Sequence, residues 1–285
     1  MNTKKAEQWD LIIKPRTPLL NLELQELWRY KDLLLLMVKR DVTTVYKQTI
    51  LGPLWFFLQP VFTTLIFTVV FSEIAGLSTG STPAVLFYLS GLIVWNFFSE
   101  TLLGTSKTFV ENAAVFGKVY FPRLIMPLAK TVSGFLKFFI QLGLFLMVLA
   151  YFRFVEGFSF ALNETLFVLP FLFLLMAMLG LGSGIILSSL TTKYRDLIFL
   201  INFGVQLLMY ATPVIIPLAD VPVKYQWLMK INPMTPLIEI FRYTFLGTGT
   251  FDAWGLAYCT GFTLVLLFIG IVIFNKVEKS FIDTV

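Results

Sequence analysis

Charged positions along the chain are separated by long gaps, and the gaps set the architecture. Residues 48–72, 165–192, 197–219 and 253–275 contain no Asp, Glu, Lys or Arg. A bilayer core about 30 Å thick needs roughly 20 apolar residues per helix, so each of these stretches is long enough to cross. Two more, 84–106 and 131–152, hold one ionisable residue apiece, Glu100 and Lys137. The pattern predicts an all-α membrane protein with six transmembrane helices.

Shorter patterns fill the spaces between. Over 19–47, Leu20, Leu24, Leu27 and Trp28 recur near helical spacing, Glu23 and Glu26 come early, and Lys39 and Arg40 come late. Acidic residues first and basic residues last suit the helix dipole. The apolar run 33–38 is too short to span, so an in-plane amphipathic helix at the interface is expected. A helix packed on a soluble partner fits the same pattern. Gly52, Pro53 and then Pro60 break the backbone where the chain bends into the first span. The Gly/Ser/Thr-rich stretch 76–82 predicts a tight turn between spans one and two. Between spans two and three, 112–120 reads as a short helix stopped by Pro122. Between spans five and six, 225–231 and 236–246 are apolar helical stretches separated by Asn232 and Pro233, with Thr235 as the expected N-cap. Too apolar for a free loop and too short to cross, they predict short re-entrant or interfacial outer helices. The expected organisation is a cytoplasmic tail and interfacial amphipathic helix over 1–53, a six-span domain over 54–277, and a C-terminal tail over 278–285.

Charge orients this frame. With 57% of residues apolar and 14% charged, the chain lacks the charge of an ordinary soluble surface. Alternating sides of six spans carry seventeen and four of the twenty-two Lys and Arg residues, Lys137 lying within a span. The positive-inside rule then puts both termini in the cytoplasm of a multi-pass protein. The net charge of +5 is accounted for by topology, and nucleic acid is not an expected partner. Residues 1–30 contain no apolar core of a cleaved signal, so the first span is expected to direct insertion.

Candidate chemistry is sparse. There is no histidine and one cysteine, Cys259, which leaves no imidazole base, no Cys/His metal cluster and no disulfide framework. Gly117 and Lys118 approach a phosphate-binding loop, but Asn112 and Val119 stand where its glycine and hydroxyl residue belong. No cofactor or metal is expected in this chain, and ATP-driven work would need a motor on another subunit. Glu100 and Lys137 are the deepest ionisable groups, either marking a pathway or snorkelling from span ends. Glu239 and Arg242 lie three apart and are expected to pair on one helix face. Aromatic residues are 16% of the chain. Trp55, Phe56, Phe57, Tyr88, Trp95, Phe97, Phe98, Phe203 and Tyr210 lie in spans one, two and five. There they serve as lipid-facing packing or as ring faces along which sugar rings slide.

Four patches together resemble the membrane subunits of ABC-2 exporters, specifically the branch that exports O-antigen, capsule and teichoic acid polysaccharides. The first is Lys39-Arg40-Asp41 with Tyr46-Lys47-Gln48-Thr49-Ile50-Leu51-Gly52-Pro53-Leu54-Trp55 and Pro60. The second is Phe116-Gly117-Lys118-Val119-Tyr120-Phe121-Pro122-Arg123. Tyr194-Arg195-Asp196 with Thr212-Pro213-Val214 is the third. The fourth is Asn232-Pro233-Met234-Thr235-Pro236 with Arg242, then Glu278 and Phe281-Ile282-Asp283.

That resemblance implies a bacterial inner-membrane permease, itself not an enzyme, working as a homodimer with two ABC ATPase subunits that bind ATP and Mg. It implies a lipid-linked polysaccharide cargo, such as an undecaprenyl-linked glycan. Asn112, Val115, Phe116, Lys118, Tyr120, Phe121, Pro122 and Arg123 would form the ATPase coupling segment. Arg40, Asp41, Tyr46, Lys47, Gly52 and Pro53 would form the interface helix and the bend into the first span. The nine aromatic residues would line the glycan channel, and Asn232, Pro233, Pro236, Glu239 and Arg242 would form an outer gate. The competing readings are an ABC-2 permease for a small lipid or drug, a passive channel or secondary transporter, and a membrane glycosyltransferase. The last is disfavoured because no acidic cluster suits a metal-bound sugar nucleotide.

Overall fold

The computed structural model describes residues 24–47, 51–116, 118–119, 121–159 and 164–281, the side chains of 24, 45, 46 and 278–281 excepted. Tyr120, Gly117, the segments 48–50 and 282–285, and the side chains of Tyr46, Glu278 and Phe281 therefore lie outside the described residues. Every regular element among the described residues is helical.

The interfacial segment forms as two helices, α1 (Leu24–Arg29) and α2 (Lys31–Lys47), rather than one. The break at Tyr30 is slight, because its N–H still reaches Glu26 O and its carbonyl accepts Leu34 N–H, both at 3.0 Å. α2 is two-sided, with Met37 buried while Leu35 and Leu36 are exposed. Gly52 then takes a left-handed φ of 47°, a conformation open to glycine, and Pro53 starts a short 3-10 turn.

Among the described residues, five helical segments are long and apolar enough to cross a membrane: Gly52–Ile74, Ala84–Ser106, Ile125–Phe154, Glu164–Lys193 and Ala253–Val277. The first begins as α3 (Trp55–Phe67) and ends in a π-helical stretch, Thr68–Ile74. There Ala75 N–H bonds to Val70 O, five residues back. The second is α4 (Ala84–Ser106), with the expected boundaries. The third is α6 (Ile125–Phe154), whose 30 residues extend well beyond the expected 131–152. The fourth contains α7 (Leu169–Lys193), and the last belongs to α11 (Ala253–Phe281).

The stretch expected as span five differs. Its helix, α8 (Leu197–Tyr210), has only 14 residues, about 21 Å at 1.5 Å per residue. The backbone then turns, and Pro213 and Pro217 fall where further helix would need free amide donors. Of the remaining elements, α5 (Thr108–Phe116) starts and ends earlier than the expected 112–120. α9 (Val223–Lys230) and α10 (Met234–Leu246) lie close to the predicted pair. Thr235 is not the N-cap of α10. Asn232 Oδ1 accepts Met234 N–H at 3.0 Å, while the Thr235 hydroxyl donates back to Met229 O at 2.6 Å.

α4 is the axis, and most of its residues are buried between α3, α6, α7 and α10. A helix apolar around its whole circumference is stable only when surrounded. α7 approaches it through glycines on one face. A Cβ on Gly184 would overlap the Thr105 hydroxyl and stand 2.8 Å from Leu102 O, and one on Gly180 would stand 2.9 Å from Thr105's neighbour on the helix face, Thr101 Cβ. Small residues four apart let two backbones pack closely where lipid gives no hydrophobic drive. A second, smaller core under α2 collects Met37, Phe109, Phe116, Phe121, Ile125 and Phe274.

Candidate functional site

The residues singled out in the sequence gather at the two ends of the bundle, with an ionic pair between. At the end bearing the basic loops, α2 docks against α5 and α6 through charge. Arg40 donates to Asp41 Oδ1 from Nε and Nη2, at 3.1 and 2.9 Å, and approaches Asn112 Oδ1 at 3.5 Å. Asp41 pairs with Lys130 of α6 at 3.2 Å, and Lys130 lies 3.6 Å from Glu111 of α5. Asn112 is buried and donates to Thr108 O at 2.9 Å, so its amide serves both its own helix and α2.

Beneath these charges rings pack in series. Phe121, Phe116, Phe109 and Phe274 follow one another with centroid separations of 5.6, 5.8 and 4.8 Å, joining the 118–123 segment to α11. Arg123 is buried with its guanidinium 5.5 Å from the Phe116 ring centroid, a cation–π geometry. Of the expected coupling residues, Asn112, Phe116, Phe121 and Arg123 thus face inward, and Val115 and Pro122 are half-buried. Lys118 is exposed, as is its neighbour Val119. The tip is thus exposed, with the rings behind it. At the bend, Lys47 and Pro53 are exposed and Gly52 is buried.

Between the two ends, Lys137 of α6 and Glu100 of α4 form an ion pair at 2.5 Å. The same ammonium lies 5.3 Å from the Phe56 ring centroid, so one cation ties α6 to α4 and α3.

The structure does not bring the nine aromatic residues together on one face. Tyr88, Trp95, Phe97 and Phe98 are buried in the main core, and Phe56 is buried as well. Their faces are taken up by neighbours: Phe97, for example, packs on Phe135 and Phe138 at 4.8 and 4.9 Å. Phe57 is half-buried, and Trp55, Phe203 and Tyr210 are exposed.

At the opposite end Arg242 organises α10, α4 and the turn after α8. The guanidinium is 1% exposed and makes four hydrogen bonds. It donates to Ser90 Oγ at 3.3 Å, to Phe87 O at 3.1 Å, to Val214 O at 3.2 Å and to Pro213 O. It also lies 3.6 Å over the Phe87 ring. Gly91 makes this possible, since a Cβ there would stand 2.6 Å from Arg242 Nη2. These acceptors, and not Glu239, take the hydrogen bonds of Arg242, while Glu239 acts on it through charge. Burial pulls the guanidinium down to about 9, opposed by Glu239 and Tyr88, so it stays cationic at neutral pH. Burial likewise raises the Glu239 carboxyl above its ordinary range, against the attraction of Arg242 and hydrogen bonds from Thr250. Asn232 and Pro236 are buried and Pro233 half-buried, with Asn232 Nδ2 donating to Ala211 O at 3.2 Å.

Lys130, Glu111, Ser90, Phe87 and Gly91 complete these junctions without having been singled out in the sequence. Their spacing carries no motif.

A family described as ABC-2 type transporter matches residues 32–246, well over half of the chain and inclusive of both junctions. RfbA of Klebsiella pneumoniae, an O-antigen export system permease protein, is 28% identical over 253 residues, 88% of this chain and 94% of that protein. RfbA of Myxococcus xanthus is 25% identical over 265 residues, 92% and 98% of the two chains. KpsM of Escherichia coli, a polysialic acid transport protein, is 22% identical over 248 residues, 86% and 93%.

Proposed function

We infer from its membership of the ABC-2 type transporter family, to which the chain belongs over residues 32–246, that it is the membrane subunit of a polysaccharide exporter. The names of its relatives, O-antigen export permease and polysialic acid transport protein, support a glycan as the cargo. The observation that carries the mechanism is the exposed 118–119 tip, backed by α2, α5 and α6 joined through Arg40, Asp41, Lys130 and Glu111.

In this reading two copies of the chain assemble in the bacterial inner membrane with both termini in the cytoplasm. Two separate ATPase subunits hold ATP and Mg, and their closure presses on Lys118 and Val119. The ion pairs make α2 move with α5 and α6, and the Phe121-to-Phe274 series carries the displacement to α11. α8, with the turn that follows it, completes a sixth crossing. α2 lies in the interface with Leu35 and Leu36 toward lipid, while α9 and α10 are re-entrant and close the outer end. An undecaprenyl-linked glycan passes along the subunit interface, where Trp55, Phe203 and Tyr210 offer ring faces and the buried rings of α4 stiffen the wall.

Deletion of the gene in its host tests this reading. The lipid-linked glycan should accumulate on the cytoplasmic side and vanish from the surface, and the intact gene should restore it. Unaltered surface glycan, with a small lipid or drug retained instead, would favour the competing permease.

A further inference from the structure

Beside the Arg242 junction a cavity of about 670 Å³ opens between the 79–81 turn, the 217–220 turn and α9, α10 and the 248–255 segment. Its volume falls within the roughly 300–1,000 Å³ of small-ligand sites. Its lining mixes apolar side chains with charged and polar ones. Asp220, Glu239 and Asp252 bring three carboxylates to the lining, and Ser81, Gln226 and Lys230 add hydroxyl, amide and ammonium.

Much of this hydrogen-bonding capacity is unspent within the protein. Asp252 Oδ1 accepts Trp254 N–H at 3.0 Å, which leaves Oδ2 for a ligand. Glu239, buried at 5% exposure, accepts from the Thr250 hydroxyl at 3.5 Å on Oε2 and from the Thr250 backbone, and keeps further lone pairs for a ligand. Gln226 donates to Val221 O at 3.0 Å and keeps its carbonyl oxygen. Asp220, Lys230 and Ser81 are exposed at the rim. The Arg242 guanidinium, by contrast, is committed to Ser90 and three carbonyls.

These facts select the ligand. A phosphate or pyrophosphate would meet three carboxylates against one uncommitted ammonium, and repulsion would dominate. A divalent cation needs converging acidic ligands, and among the described residues no three His, Cys, Asp or Glu side chains stand close enough to hold one. An acyl chain would pack on Leu218, Ala219 and Pro236 but strand the carboxylates, amide and ammonium beside them. A neutral polyhydroxylated ligand satisfies it, because sugar hydroxyls donate to carboxylates and accept from Ser81, Gln226 and Lys230. We propose that this cavity is a saccharide subsite that holds a few neutral sugar residues of a glycan where it leaves the membrane.

The inference rests on the export reading above and deepens it, placing one contact of the cargo within a single subunit. A bound segment there would resist slipping back while the motor resets. Its position between α10 and the 79–81 turn also makes it sensitive to any movement of the Arg242 junction.

The test uses the full chain, with its ATPase partner, in lipid nanodiscs. Mannotriose, maltotriose and galactotriose are titrated by saturation-transfer NMR, with pyrophosphate as the anionic probe. At least one trisaccharide should bind saturably, and Asp220→Asn, which removes a charged acceptor, should weaken it about tenfold. Ser81→Trp, which fills the mouth from an exposed position, should abolish binding with melting temperature unchanged. Absence of saccharide binding, binding that survives both variants, or displacement by pyrophosphate would each overturn the subsite. Glycan export by the same preparation in vesicles separates the two readings. Export without saccharide binding removes only the subsite, whereas saccharide binding without glycan export removes only the exporter.

Discussion

Lys137 Nζ lies 2.5 Å from Glu100 Oε1, so two residues 37 positions apart neutralise each other inside candidate membrane spans. Their side chains are 22% and 36% exposed, which places the pair at the bundle surface. Lys137→Met or Glu100→Gln alone leaves one unpaired charge in apolar surroundings. Each single change is expected to cost about 1–2 kcal/mol after discounting for that exposure. The double variant should recover most of the loss. Thermal unfolding in nanodiscs of all four proteins gives the coupling, and additive losses would show that the pair contributes no joint stability.

The Arg242 junction predicts that charge alone is insufficient. Arg242→Lys keeps the cation but presents one ammonium to acceptors on α4 and on both residues of the turn after α8. At least one buried carbonyl is then left without a donor, at about 1–3 kcal/mol each. Arg242→Lys should therefore lower the melting temperature nearly as far as Arg242→Met. A lysine variant as stable as the original would contradict the multidentate account.

Glycine packing gives a paired prediction. Gly184→Ala drives a Cβ into Thr105 and Leu102 O and is expected to destabilise by about 1–3 kcal/mol, outweighing the helix-propensity gain. Gly143→Ala, with no atom within 4 Å of the added Cβ, should be neutral or stabilising by up to about 1 kcal/mol. Melting temperatures of the two variants compare them directly, and equal effects would mean that the α4–α7 approach is not close.

The coupling segment predicts a division between tip and support. Val119→Asp alters an exposed residue and should leave the melting temperature unchanged while reducing export-coupled ATP hydrolysis several-fold, about 1 kcal/mol or more in coupling. Phe121→Asp puts a carboxylate into the ring series and should lower stability by about 3 kcal/mol or more. If Val119→Asp retains full coupling, the tip is not the contact.

Which features were legible follows from how each is encoded. The limits of α4 could be read because the Gly/Ser/Thr-rich turn at 76–82 precedes it and Lys107 follows it. α8 could not, since the 23 uncharged residues of 197–219 say nothing of where the backbone turns, and Pro213 and Pro217 act only once the helix has ended. Arg242 stood out as a charge in an apolar setting. Its partners did not, because three of its four acceptors are backbone carbonyls, which every residue type carries. The rings of α4 illustrate a different obstacle. A helix apolar on all sides gives no clue to which side faces a conduit, and the structure buries Tyr88, Trp95, Phe97 and Phe98 within the subunit. The Asp41–Lys130–Glu111 link joins α2 to two helices much later in the chain, and only folding reveals it.

Reconstitution tests the central claim most directly. The chain and its ATPase partner, placed in proteoliposomes, are supplied with ATP and an undecaprenyl-linked glycan on the ATPase side. Lectin binding then reports glycan reaching the opposite side. The account predicts transfer that requires ATP, requires both subunits and falls several-fold with Val119→Asp at unchanged stability. Transfer by the chain alone, or driven by an ion gradient without ATP, would contradict it.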